Sequence, residues 1–262
     1  MLYLRYSNHF MKSVKRLLYK LLTPKQYLQV LQVVFYWMYD WNILKGKPAF
    51  KYHYLIKKVI QPNFTVVDIG ANLGYFSKNF ARLTPQGKVV SIEPIPLFYE
   101  VLSHLLRKYN HVTVHNVALG SEAGKAIMVL PADDGMIRTG LPHLAQNDAE
   151  LEKYQNQEVA IVRGSELLAN LEKIDYIKCD IEGYEWIVFQ ELEPLIAKHK
   201  PFVQLEIGDE NRENMLALFE RNGYTQFGIT NYQFIQEKGI QKEQGDYFFV
   251  PNERVEAFHK SI

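Results

Sequence analysis

Cysteine is almost absent: Cys179 stands alone among 262 residues. No intrachain disulfide can form, so the expected setting is a reducing, cytoplasmic compartment. Net charge is also small, at +1. Composition therefore gives no reason to expect a nucleic-acid partner. There is no internal repeat or low-complexity tract. Long apolar runs are missing as well. The most apolar stretch, "YLQVLQVVFYWMYDW" (27–41), is interrupted by Gln29, Gln32 and Asp40, whereas a spanning helix needs about 20 apolar residues. The opening lacks the apolar core and small-residue cleavage site of a signal peptide. The 47% apolar and 23% charged fractions are those of a globular chain large enough for one domain with an appendage.

Acid is missing from the first 39 residues, which carry Arg5, Lys12, Lys15, Arg16, Lys20 and Lys25. The rest of the chain therefore holds a net charge of −5. Within "FMKSVKRLLYKLL", Phe10, Val14, Leu17, Leu18, Leu21 and Leu22 recur at helical spacing, with most lysines on the other side. Residues 1–55 thus read as a helical arm ahead of a main domain at 56–262. Two readings of the arm stay open. It packs on the domain or on a second subunit, as in a homo-oligomer, or residues 1–40 lie on an anionic membrane, peripheral to its inner face.

From residue 64 onward, strand and helix signals alternate. Strands are expected at 64–69, 87–93, 111–119, 174–181 and 201–207. Helices are expected at 72–83, 97–109, 184–199 (with a break near Pro194) and 210–222. "YTQFGI" and "DYFFVP" close the chain as two strands that could pair at one edge. This order predicts an α/β fold, a mostly parallel sheet with helices on both faces. Residues 120–165 interrupt it with two strand-like pieces, 125–131 and 157–164, around a polar stretch holding Gly135 and Gly140. An insertion this long suggests a cover over a ligand site.

In such sheets ligands bind beyond the carboxyl ends of the strands. There the sequence places "DIGANLG", Asp68 to Gly74. A dinucleotide fingerprint needs G-x-G-x-x-G so that a pyrophosphate can approach a helix N-terminus. This turn has two glycines at another spacing and an acid two residues before the first. That suits a cationic ligand such as S-adenosylmethionine, which has a sulfonium and an amino group. Glu93, ending the second strand, can accept hydrogen bonds from both ribose hydroxyls.

"VVDIGANLGYFS", "VVSIEPIP", "HNVALGSEAG" and "IDYIKCDIEGYEWIV", in that order over about residues 60–210, resemble the successive motifs of FkbM-type methyltransferases. The resemblance implies a Rossmann-like methyltransferase fold with a seven-stranded sheet whose last strand is antiparallel. It implies S-adenosylmethionine as cofactor and O-methylation of a hydroxyl on a glycan or polyketide-like molecule. By position, Asp68, Gly70, Asn72, Gly74 and Tyr75 would line the methionine part, Glu93 the ribose, and Asn116 and Ala118 the adenine. Asp180, Glu182 and Gly183 would form the D-x-E-G motif beside the methyl group, Asp180 also counting among the cofactor contacts. The family often has a Leu-Asp pair before strand four, where this chain has Gly164 and Ser165.

Methyl transfer to oxygen needs an oriented hydroxyl and a group that takes its proton. Asp180 and Glu182 are the first candidates, with helix capping as the competing role for both. His143 in the cover is a further candidate base. Tyr184 and Trp186 either pack or line an acceptor cleft, and Cys179 reads as core. No metal site is assigned, although Glu206, Asp209, Glu210 and Asn211 follow strand five and could hold Mg²⁺. The expected activity is an S-adenosylmethionine-dependent O-methyltransferase acting on a small-molecule or glycan acceptor. A nicotinamide-dependent oxidoreductase and a non-catalytic interaction module of the same fold are the alternatives.

Overall fold

A computed structural model of the chain describes residues 9–133, 136–145, 147–208, 211–230, 232–237 and 246–262. The N-terminal part is α1 (His9–Leu21), α2 (Pro24–Asp40) and α3 (Lys51–Val59). Then follow β1 (Thr65–Ile69), α4 (Ser77–Leu83), β2 (Lys88–Ile92), α5 (Pro96–Leu106) and β3 (Val112–His115). The insertion holds β4 (Ala118–Gly120), β5 (Gly124–Leu130), β6 (Ala132–Asp133), β7 (Met136–Ile137), β8 (His143–Leu144), α6 (Asp148–Lys153) and β9 (Gln155–Arg163). The chain then runs through α7 (Gly164–Leu167), β10 (Tyr176–Cys179), α8 (Glu185–His199), β11 (Phe202–Glu206) and α9 (Arg212–Arg221). It closes with β12 (Tyr224–Thr230), β13 (Gln233–Gln236), β14 (Asp246–Pro251) and α10 (Val255–Ser261).

Among the described residues, eight strands form the main sheet in the order β13-β12-β14-β11-β10-β1-β2-β3. The five from β11 to β3 are parallel, while β14 runs antiparallel to both β11 and β12. Every residue of β1 is buried, as expected for a strand covered on both faces. Successive residues serve opposite layers. Val67, Ile177 and Val203 pack with α8 and α9 through Val188, Phe189, Leu192 and Leu218. Val66, Tyr176 and Phe248 pack on the other face with Ile56 of α3, Phe80 of α4 and Phe258 of α10. This two-residue alternation splits one apolar strand between two cores.

Several expectations are corrected. Among the described residues the sheet has one strand more than the seven expected, because Gln233–Gln236, between the two closing strands, pairs antiparallel with β12. The expected strand 111–119 is two strands in different sheets, since β4 leaves β3 to pair with β9. The helix expected from residue 72 starts at Ser77, because Asn72 (φ 53) and Gly74 (φ 86) have left-handed backbones that no α-helix can include. Pro194 lies inside an unbroken α8. Burial of Phe189, Leu192 and Ile196 outweighs the one backbone hydrogen bond a proline removes. Helix α3 runs across the 55/56 boundary expected between arm and domain, and α6, α7 and α10 carried no helical expectation.

Candidate active site

Strand order reverses between β1 and β10, and there the two carboxyl ends touch. Gly70 follows β1 with φ +73, and a Cβ at that position would sit 2.0 Å from the carbonyl oxygen of Asp180. Only glycine allows this approach. The amides of Gly70 and Ala71 both donate to the carbonyl of Ile92, at 3.0 Å each, which ties the turn to the end of β2. Asn72 then joins three segments. Its backbone amide donates to Glu93 Oε2 at 2.8 Å, its side-chain amide donates to the carbonyl of Thr139 in the insertion, and its Oδ1 accepts from the Leu73 amide at 2.7 Å.

Glu93 is buried at the end of β2, and its Oε1 accepts from the Ile95 amide at 2.9 Å. Burial pushes its carboxyl up to about 7, although the amides of Ile95 and Asn72 pull the other way. Asn116, directly after β3, holds this corner by donating to the carbonyls of Glu93 (2.9 Å) and Pro94 (2.8 Å).

Beneath the turn lies a cation the sequence reading missed. Lys178 is buried in β10, and its Nζ donates to the Gly70 carbonyl at 3.1 Å. The same nitrogen is 3.6 Å from Asp68 Oδ1 and 3.5 Å from Asp180 Oδ2. Burial opposes its charge, but Asp180 and Asp68 more than offset that and hold its pKa above the ordinary lysine value. Asp68 also accepts from Ser77 Oγ at 2.5 Å. Burial raises the Asp68 carboxyl, and Lys178 resists that rise. The available signal was a lysine inside "YIKC", a strand whose other residues are apolar.

The D-x-E-G segment separates the roles left open for its acids. Glu185 is the acid that serves the turn amides, accepting from Ile181 (3.2 Å) and Gly183 (3.0 Å). Glu182 has φ 55 and lines the cleft. Burial, then Asp180 and Glu206, push its carboxyl up to about 8. Ser165, at the departure from the family pattern, binds Glu191 of α8 through its amide and hydroxyl.

The cleft measures about 710 Å³ including its open mouth, and is lined by Gly70, Asn72, Glu93, Ala118, Asp180 and Glu182 among the residues expected there. Tyr184 also lines it, and the insertion closes one side with Thr139, Gly140, Pro142 and Leu144. The other expected residues stand back. Asp68 is fully buried under the turn, Gly74 packs against Leu102 and Leu105, and Asn116 braces the β2 end. Tyr75 packs edge-on against Phe35 of α2. His143 is turned away from the cleft wall that its neighbours form, with Nδ1 2.8 Å from the Leu141 carbonyl and Nε2 3.3 Å from Glu150. Asp209 and Glu210 lie outside the described residues. Among the described residues no three His, Cys, Asp or Glu side chains converge as metal ligands.

Helix α2 also reaches the site. Gln32 donates from its side-chain amide to the carbonyl of Leu73 at 2.5 Å, and Tyr36 donates to the carbonyl of Gly74 at 2.5 Å. Tyr27 and Leu28 of α2 pack with Leu73, Ile95 and Phe98, joined by Leu18 and Tyr19 of α1. The expected arm is thus seated on the glycine turn. Neither Gln32 nor Tyr36 belongs to a motif, and periodicity alone could show only that they share the helix's inward face.

The profile of the Methyltransferase FkbM domain matches residues 68–225. Methyltransferase sdnD of Sordaria araneosa is 29% identical over 147 residues, covering 46% of this chain and 57% of that protein. Methyltransferase 1 of Beauveria bassiana (strain ARSEF 2860) is 26% identical over 144 residues, covering 49% and 58%. The similarity thus spans a little over half the length of these curated relatives. Among solved structures, Methyltransferase FkbM from Methylobacillus flagellatus KT is similar with a TM-score of 0.49 and 17% identity, covering 72% of this chain and 44% of that one.

Proposed function

The chain belongs to the FkbM methyltransferase family, and from that premise we propose that it transfers a methyl group from S-adenosylmethionine to a hydroxyl of a glycan or polyketide-like acceptor. The observation that carries this reading is the charge of the cleft wall. Glu93, Asp180 and Glu182 line it, and no lysine, arginine or histidine does among the described residues. Such a wall favours a ligand bearing a sulfonium and an ammonium, whose positive charge would draw the raised carboxyls of Glu93 and Glu182 toward their ionised form, and offers a pyrophosphate no cation. The close approach at Gly70 and the buried acid Glu93 at the cleft wall fit the same ligand. The nicotinamide alternative loses support on the same ground.

S-adenosylmethionine, when bound, supplies an electrophilic methyl on a positive sulfur. Glu93 accepts hydrogen bonds from the ribose hydroxyls, and the Gly70–Gly74 turn and Ala118 frame the remainder. Asp180, restrained by Lys178, supports positive charge at the centre of the cleft. Glu182 receives the proton of the acceptor hydroxyl on a carboxylate oxygen, because its raised pKa makes it the better base of the two. Tyr184 and the insertion shield the acceptor from water and give a sugar ring a face to stack on.

The test is calorimetry with S-adenosylhomocysteine and with NADH, followed by a screen of hydroxylated glycan acceptors read by mass spectrometry. Binding of S-adenosylhomocysteine alone is expected, with a mass gain of one methyl on an acceptor oxygen. Preference for NADH, or methylation on nitrogen or carbon, would overturn the reading.

A further inference from the structure

Helix α2 has two unlike faces. Its inner face buries Leu28, Gln32, Phe35, Tyr36 and Tyr39 against the domain. Its outer face presents Val33, Val34 and Trp37, with Trp41 directly after the helix, all exposed. Val33, Trp37 and Trp41 follow at four-residue spacing, which puts them on one stripe. The two indole rings lie 6.0 Å apart, and Trp37 and Trp41 are 56% and 70% exposed. Beyond them Ile43 is exposed, and α1, two residues away in the chain, exposes Leu17 and Leu21. An apolar stripe with two tryptophans in water costs free energy unless something covers it.

The surroundings say what kind of surface does so. Residues 14–58 hold nine lysines and arginines and one acid, Asp40. That acid is already engaged by Arg82, through both carboxylate oxygens at 2.8 and 3.2 Å. Lys45 and Lys47 are exposed directly after Trp41 in the chain, and Lys20 is exposed on α1 beside Leu21. Beside Val33 a groove runs between α2 and α5, lined by Lys78, His104, Arg107 and Lys108. Burial and the nearby Arg82 push Lys78 down to about 8, a strain that an anion in the groove would relieve. Tryptophans settle at the headgroup level of a bilayer, and lysines beside them meet anionic lipids. No helix among the described residues is long and apolar enough to cross a membrane, so contact is confined to the interface.

We propose that the outer face of α2, with the exposed leucines of α1 and their cationic surround, docks on an anionic lipid bilayer. The inner face of the same helix holds the glycine turn through Gln32 and Tyr36, so docking brings the candidate active site to the membrane surface. The proposal is independent of the reaction assigned above.

The test uses the full chain and vesicles of phosphatidylcholine, alone or in equal parts with phosphatidylglycerol. Sedimentation with the mixed vesicles, absent with phosphatidylcholine alone and weakened by high salt, is the expected result. Tryptophan emission reports the same contact, because two of the three tryptophans are on this face and Trp186 packs against the core. Trp37→Ser/Trp41→Ser should abolish both the sedimentation and the blue shift while keeping the parent's unfolding temperature. Lys45→Glu/Lys47→Glu, also exposed, should lower partitioning about tenfold or more. Three outcomes overturn the proposal. The folded chain stays in the supernatant with both vesicles, the tryptophan variant sediments like the parent, or light scattering finds a dimer that the tryptophan substitutions dissociate. The last would assign the face to a second copy.

Discussion

The phenol of Tyr36 donates to the carbonyl of Gly74 at 2.5 Å, and the carbonyl of Tyr75 lies 3.2 Å from the same oxygen. A residue 38 positions upstream therefore fixes the peptide that ends the glycine turn. Beside it Gln32 does the same for Leu73. Both carbonyls accept from α2, and no α2 residue lines the cleft among the described residues, so the helix holds the turn in shape from behind it.

Tyr36→Phe removes one of two donors to the Gly74 carbonyl while keeping the ring, since the Lys78 amide also donates to it at 3.2 Å. Stability should fall by about 0.5–1.5 kcal/mol, the net worth of one hydrogen bond, and S-adenosylhomocysteine should bind more weakly. Urea unfolding and calorimetry measure the two effects. An unchanged affinity alongside a stability loss would confine α2 to a packing role.

If Glu93 holds the ribose as proposed, cofactor binding depends on pH. Its folded pKa, about 7, is above the ordinary 4.5 because burial disfavours the charge. Protonation thus favours the unliganded fold, and this contribution is lost as pH rises through about 7. The carboxylate is the better acceptor for ribose hydroxyls, so affinity for S-adenosylhomocysteine should rise over the same window. Glu93→Gln should flatten that pH dependence and weaken binding by about 1.5–3 kcal/mol. Isothermal titration across pH 5.5–8.5 tests this; a pH-independent affinity in the parent removes Glu93 from the ribose.

Glu182 is the proposed proton acceptor. With a carboxyl raised to about 8, turnover should increase with pH through that value, since the base acts when ionised. Glu182→Gln should lower kcat by about 10²–10⁴-fold, the range of general-base catalysis, with cofactor affinity little changed. If Asp180→Asn shows the larger loss and Glu182→Gln keeps the parent's pH profile, the base is Asp180.

Lys178 is the cation that permits Asp68 to be charged below the turn. Lys178→Met should cost about 3–5 kcal/mol, as for a buried ion pair that loses one partner. Adding Asp68→Asn removes the stranded charge, so the double variant should be more stable than Lys178→Met alone. Chemical denaturation of the four proteins gives the coupling. Strict additivity would mean that Asp68 and Lys178 do not interact across their 3.6 Å separation.

Much of the site could be read from local patterns because its parts are local. The turn at Asp68–Gly74, the acid ending β2 and the acids after β10 each follow a strand, and a parallel sheet collects strand ends on one edge. Glycines at left-handed positions and a polar residue at the end of an apolar strand leave marks within a few residues. The division of labour left fewer. Asp180, Glu182 and Glu185 lie within six residues, and which acid caps, which pairs with Lys178 and which faces the cleft depends on backbone angles and on burial. His143 had the right chemistry for a base, yet its partners Leu141 and Glu150 belong to its own insertion.

The sequence by itself determined the alternation of strands and helices, the family and the residues at the strand ends. These follow from hydrophobic period and from turn chemistry, which act over short stretches of chain. Only the tertiary structure decided that α2 clamps the glycine turn, that Lys178 bridges Asp68 and Asp180 from below, and that Trp37 and Trp41 remain on the outside. Those outcomes depend on which surfaces meet after the chain has folded back over tens of residues. Hydrogen bonding and burial at such contacts are properties of the assembled neighbourhood rather than of any segment.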